Sequence, residues 1–126
     1  MAQSGTFKLD EFFAALADRT RLRLLNLMRD GEVCVCFFAE TLGTNNPKIS
    51  RHLSYLKRAG LVNARRDGKW IHYSLNAPAE PQAAELFTSL LKTLESDKEM
   101  QSDRAALESV CCTPRNQLVA ITNQLQ

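Results

Sequence analysis

No part of this chain limits its fold as tightly as residues 44–75, TNNPKISRHLSYLKRAGLVNARRDGKWIHYSL, where a helix is followed at once by a hairpin. Asn46 suits an N-cap, because its side-chain oxygen can accept a bond from an orphan backbone N–H. Pro47 suits the first helical position, where its missing donor is not needed. Ile49, Leu53 and Leu56 follow at i, i+4 and i+7 and form one buried stripe. Lys48, Arg51, His52 and Tyr55 lie off that stripe, and Gly60 is the expected stop. Upstream, Phe37–Leu42 reads as a short helix ended by Gly43. Two helices joined through Gly43-Thr44-Asn45 make a helix-turn-helix, whose second helix enters a major groove by its N-terminal part.

Val62–Arg66 and Lys69–Leu75 flank Asp67-Gly68, a dipeptide suited to a two-residue type I′ turn. Ile71, Tyr73 and Leu75 alternate with Trp70, His72 and Ser74, as a half-buried strand requires. Charge is concentrated in the same stretch. Residues 48–69 hold seven basic side chains against Asp67, a net of +6, while the remainder holds nine basic against 13 acidic. A local positive field on an otherwise acidic chain marks a polyanion-binding surface. A basic hairpin beside a recognition helix is a wing able to touch phosphates or the minor groove. The candidates at the groove are Asn45, Asn46, Lys48, Ser50, Arg51 and His52, and those on the wing are Arg65, Arg66 and Lys69. Lys48 and Arg51 suit guanine edges or phosphates equally. His72 reads as a strand-packing residue rather than a ligand.

The run Asn46-Pro47-Lys48-Ile49-Ser50-Arg51-His52-Leu53, with Leu56, Ala59-Gly60-Leu61 and Gly68-Lys69-Trp70-Ile71-His72-Tyr73, resembles the winged-helix metalloregulators of the arsenic-repressor (ArsR/SmtB) family. So does Leu16-Ala17-Asp18-Arg19-Thr20-Arg21-Leu22. The resemblance covers about residues 10–76. It implies a mostly α, winged helix-turn-helix fold with a small β-hairpin, and a homodimeric repressor. Such a repressor leaves double-stranded operator DNA when it binds a toxic metal or metalloid.

At 126 residues the chain makes one domain. It has no apolar run near the ~18–20 residues of a membrane span and no signal-peptide pattern, which predicts a reducing, cytoplasmic setting and no membrane partner. Phe7–Ala17 and Asp18–Arg29 read as helices, the first with Leu9, Phe12, Phe13 and Leu16 on one side, the second with Leu22, Leu25 and Met28 inward. Glu80–Lys98 reads as one long helix whose Ala83, Leu86, Phe87, Leu90, Leu91 and Leu94 form a continuous apolar face. A chain with so small a core gains from association, so this face is expected to pair with its copy and with the Phe-rich first helix in a twofold dimer. Twofold symmetry suits an inverted-repeat operator. The expected division is a DNA-binding and dimerisation domain over residues 7–98 and a cysteine-bearing tail over residues 99–126. Within the tail, Asp103–Val110 and Asn116–Leu125 are candidate helices.

All four cysteines come in pairs, Cys34 with Cys36 and Cys111 with Cys112. In a reducing setting such pairs serve as ligands or redox thiols more often than as structural disulfides. Thiolates select soft ions. Tetrahedral zinc draws on C-x₂₋₄-C spacing and histidine, and here the spacings are C-x-C and C-C, with His52 and His72 both inside the DNA-reading unit. The expected ligand is therefore trivalent arsenic or antimony, which accepts three thiolates in a trigonal pyramid. Arsenic-responsive members of the family carry Cys-Val-Cys-x-x-Cys at this place, and Cys34 and Cys36 match its first two while Ala39 stands at the third. Cys111 or Cys112, from the same subunit or its partner, is a candidate third ligand, and the tail pair is alternatively a separate site. On a regular helix residues i and i+2 point about 200° apart, so sharing one ion requires a first turn that is non-helical or unwinds. The runner-up functions are a thiol redox sensor and a cadmium or lead sensor of the same fold. No nucleophile–base constellation, phosphate-cradling glycine loop or paired acid motif is present, so neither an enzyme nor a catalytic cofactor is expected.

Overall fold

The computed structural model describes residues 7–110. Six helices and three strands follow in the order α1 (Leu9–Leu16), α2 (Arg19–Leu27), β1 (Val33–Cys34), α3 (Val35–Leu42), α4 (Asn46–Arg58), β2 (Val62–Asp67), β3 (Trp70–Leu75), α5 (Pro81–Leu94) and α6 (Lys98–Leu107). The result is the mostly α, winged helix-turn-helix architecture expected from the sequence. The sheet is antiparallel with strand order β1-β3-β2. The core is formed by Phe12 and Ala15 of α1, Leu24 and Leu25 of α2, Phe38 of α3, Ile49, Leu53 and Leu56 of α4, and Ala83 and Phe87 of α5.

The predicted stripe of α4 is wholly buried, but the cap lies one residue earlier than expected. Asn45, in extended backbone, accepts a hydrogen bond at its side-chain oxygen from the Lys48 N–H at 3.0 Å. Asn46 is the first helical residue. Both asparagines suit a cap chemically, and the one three residues before a free N–H takes the role. Gly43, at φ 68°, ends α3 in the left-handed conformation and lets the chain reverse into α4.

The hairpin turn also differs. Asp67 pairs with Trp70, so the two loop residues are Gly68 and Lys69 rather than Asp67 and Gly68. Gly68 alone has positive φ there, 64°, which fits a type II′ turn and not the type I′ expected. Strand β1 was not anticipated. At two residues it carries no periodicity, and it exists because β3 offers it a free edge.

Two more expectations are corrected. In α1, Phe12 and Ala15 face the core, while Leu9 and Phe13 stay about half exposed. The stretch Glu80–Lys98 is not one helix. It breaks after Leu94, and Asp97 caps a new helix by accepting from the Glu99 and Met100 N–H groups. Helix α6 then lies on α2. Asn26, fully buried, donates to the Met100 carbonyl at 3.0 Å, and Arg23 forms a two-pronged ion pair with Asp103. Arg19 holds Asp97 and Glu99, and Arg104 meets Asp30. Acidic residues of this segment thus match arginines of α2, and Arg104 pairs in the opposite sense with the acid at the α2 exit. The candidate helix Asn116–Leu125 lies outside the described residues.

Candidate nucleic-acid interface and thiol site

With its apolar stripe turned inward, α4 presents Asn46, Lys48, Ser50 and Arg51 outward, with Asn45 exposed just before them. Lys48, Arg51 and His52 line a cleft of about 380 Å³ together with Thr20 and Arg23 of α2 and Leu42 and Thr44 of the turn. His52 is half-buried, its Nδ1 3.3 Å from the Arg21 guanidinium and 3.9 Å from Asp18. It therefore leans toward α2 rather than straight outward.

Arg21 explains why the segment Leu16–Leu22 is informative. Asp18 caps α2 by accepting from the Arg21 N–H. The Arg21 side chain donates to the Ala14 and Ala15 carbonyls at the end of α1. Its guanidinium also stacks 4.0 Å from the centre of the Tyr55 ring, in α4. One side chain thereby fixes α1, α2 and α4 together. Sequence reading did not single it out. Its only signal was an arginine three residues after a capping aspartate.

On the wing, Arg66 and Lys69 are exposed at the tip, where Lys69 sits 5.3 Å from the ring centre of the exposed Trp70. Arg65 is placed differently. Its guanidinium makes two 2.8 Å bonds to Glu32, which holds the Glu32 carboxyl below the usual carboxylate range. The charge expected to be free for phosphate is shared with an acid two residues before Cys34.

Cys34 and Cys36 converge. Cys34 is the N-cap of α3, in extended backbone at φ −69° and ψ 138°, and Cys36 lies in the first turn. Their Sγ atoms are 3.2 Å apart, with no disulfide joining them. Of the two routes open to a C-x-C pair, a non-helical first residue is the one adopted, and no unwinding is needed. At metal–sulfur bonds of ~2.3 Å, this separation subtends an angle of about 90° at an ion. A tetrahedral angle would need sulfurs about 3.8 Å apart at the same ~2.3 Å bond length. The pair thus fits a trigonal-pyramidal guest better than zinc. Cys34 also belongs to β1, where it pairs with His72 of β3, itself paired with Arg65 of β2. Among the described residues no group of three or more histidine, cysteine, aspartate or glutamate side chains converges as a metal site. Cys111 and Cys112 lie outside the described residues.

No helix among the described residues is long and apolar enough to cross a membrane. Residues 18–64, from the cap of α2 to the first half of β2, match the family model "Bacterial regulatory protein, arsR family". The arsenical resistance operon repressor of Escherichia coli K12 is 43% identical over 77 residues, which covers 60% of this chain and 66% of that protein, just under two thirds. The arsenic resistance transcriptional regulator ArsR2 of Pseudomonas putida is 34% identical over 113 residues, covering 81% of this chain and 96% of that protein. Among solved structures, the homodimeric winged helix-turn-helix DNA-binding domain from Mycobacterium bovis is 33% identical with a TM-score of 0.57, covering 72% of this chain and 82% of that one.

Proposed function

Since the chain belongs to the arsR family of bacterial regulatory proteins, we propose that it is a transcriptional repressor. It binds an inverted-repeat operator as a homodimer and dissociates when trivalent arsenic or antimony is captured by Cys34 and Cys36. The observation that carries this reading is the 3.2 Å approach of the two thiols at the junction of β1 and α3. Helix α3 braces α4, and β1 is stitched to the wing strand β3. An ion seated between these elements changes the spacing of α4 relative to the wing, which must fit the DNA together. A coupling of ~3 kcal/mol lowers operator affinity about 150-fold.

The names of the relatives support the inducer class, and the ~90° angle available to the thiol pair favours arsenic or antimony over tetrahedral ions. A homodimer is supported by the homodimeric relative from Mycobacterium bovis and by exposed Leu9, Phe13 and Leu86, apolar side chains a partner would cover. On the DNA side, Asn45, Asn46, Lys48, Ser50, Arg51 and His52 serve the groove, and Arg65, Arg66 and Lys69 the wing. One second reading has its own support: thiols at 3.2 Å are also close to forming a disulfide, so an oxidant could drive the same switch.

Operator binding followed by fluorescence anisotropy separates these readings. Arsenite is expected to release the reduced wild-type protein and to leave Cys34→Ser and Cys36→Ser bound. Release of both variants by arsenite would overturn the assignment. Release by peroxide, with no response to arsenite, would select the redox reading.

A further inference from the structure

Arg21 meets His52 in a way that fixes what the histidine can offer. Two guanidinium nitrogens are committed to the end of α1: Nε donates to the Ala15 carbonyl at 2.8 Å and Nη2 to the Ala14 carbonyl at 3.0 Å. The Tyr55 ring centre lies 4.0 Å from the guanidinium carbon. A guanidinium is a rigid planar fork, so these contacts also set the directions of its remaining N–H bonds. Nη1 meets Nδ1 of His52 at 3.3 Å. Asp18, the other group near that nitrogen, is 3.9 Å away, outside hydrogen-bond distance. Arginine carries donors and no acceptor, so Nδ1 meets it with a lone pair, and in an uncharged imidazole the ring proton then sits on Nε2. That N–H is left to the cleft of about 380 Å³ that His52 lines with Thr20, Thr44, Lys48 and Arg51. No carboxylate lines the cleft, and its cations and hydroxyls suit a phosphate oxygen. The lean of the ring toward α2 favours the DNA backbone over a base edge.

We propose that Arg21 is a positioning residue of the DNA interface: it holds His52 as the Nε2–H tautomer, an uncharged donor to a backbone phosphate oxygen seated in this cleft. The proposal rests on the DNA-binding part of the reading above and is independent of the inducer. An uncharged donor adds a hydrogen bond without neutralising a phosphate. His52 therefore sets the register of the duplex, while Lys48 and the wing carry the salt dependence.

The test uses the reduced full chain at pH 8, where an ordinary imidazole is uncharged. The DNA is a duplex selected from a random library by the wild-type protein, with a scrambled duplex beside it. Imidazole ¹⁵N spectra, with His52 assigned by its loss in His52→Gln, are expected to show the proton on Nε2 and an Nδ1 shifted as a hydrogen-bonded lone pair is. A proton on Nδ1, or the shift of a bare Nδ1, would overturn the proposal, whichever variants fold. The side-chain amide nitrogen of Gln stands about where Nε2 does, and that of Asn about where Nδ1 does. His52→Gln is therefore expected to bind the selected duplex within about threefold of wild type, and His52→Asn roughly tenfold more weakly, the loss of one hydrogen bond. Equal losses would remove the donor at Nε2. The His52→Asn loss is expected to be the same on both duplexes, with an unchanged salt slope. A loss confined to the selected duplex would place the donor at a base edge and overturn the phosphate assignment. Arg21→Lys keeps the charge without the fork. It is expected to divide the His52 proton between the two nitrogens and to weaken binding as His52→Asn does. A folded Arg21→Lys protein with the wild-type spectrum and affinity would show that Arg21 positions nothing. If the wild-type chain selects no duplex, the DNA-binding reading itself fails, and the spectra still judge the tautomer.

Discussion

Cys34 in β1 lies directly across from His72 in β3, so one of the two converging thiols is a member of the same sheet as the wing. The other, Cys36, belongs to the helix that braces α4. The thiol pair therefore spans the joint between α4 and the wing, the two elements proposed to grip DNA together. Glu32, two residues before Cys34, reinforces the joint by holding Arg65 of β2.

That ion pair makes a prediction about the wing. With Glu32→Gln the Arg65 guanidinium loses its competing carboxylate and is free for a phosphate. Operator affinity is expected to rise, and the slope of log K against log salt to steepen by up to ~0.9. Anisotropy titrations at several salt concentrations check this. Unchanged affinity and slope would mean that Arg65 never reaches the DNA.

For the groove, Arg51→Ala is expected to weaken operator binding by ~1–3 kcal/mol and to relax preference at one base position if the contact is bidentate. Lys48→Ala is expected to weaken all sequences alike and to lower the salt slope by ~0.9 if it meets a phosphate. Competition with scrambled DNA distinguishes the two patterns.

Docking of α6 depends on a nearly buried acid. The Asp103 side chain is 6% exposed and is paired with Arg23, itself 21% exposed. Asp103→Ala leaves that guanidinium under-satisfied and is expected to cost about 1–3 kcal/mol. A thermal melt should show the midpoint falling by several degrees. A melt unchanged from wild type would show that α6 contributes nothing to the core.

Acid should loosen the same helix. The Arg19 hydrogen bond, with help from the N–H groups that Asp97 caps, holds the Asp97 carboxyl below its usual range. A carboxylate whose folded pKa is depressed stabilises the fold above its unfolded pKa, near 3.9, and loses that contribution as pH falls through the lower folded value. Stability is therefore expected to be flat with respect to this group above about pH 5 and to decline below about pH 4. In Asp97→Asn, denaturant melts across this range should show a shallower decline.

Much of the helix-turn-helix and hairpin was legible in the sequence, because its signals are local. The proline, the Ile49–Leu53–Leu56 stripe and the glycines at 43 and 68 each act within a few residues. What stayed hidden depends on distant partners. Val33 and Cys34 become a strand only because β3 is there to pair with them. The break at residues 95–97 was obscured by the apolar face that runs through Leu94. It is set by Asp97, which caps α6 while also meeting Arg19, a residue 78 positions away. Which of the two routes brings Cys34 and Cys36 together was hidden for the same reason, since it depends on where the strand stops and α3 begins.

The central claim is that metalloid capture acts at the β1–α3 joint. Amide hydrogen exchange on the reduced protein, with and without arsenite, tests it most directly. The account predicts that exchange changes in residues 33–42 and in β3, and that Cys34→Ser abolishes both the change and the release of DNA. Arsenite-driven release with exchange in residues 33–42 and β3 left as it was would contradict it.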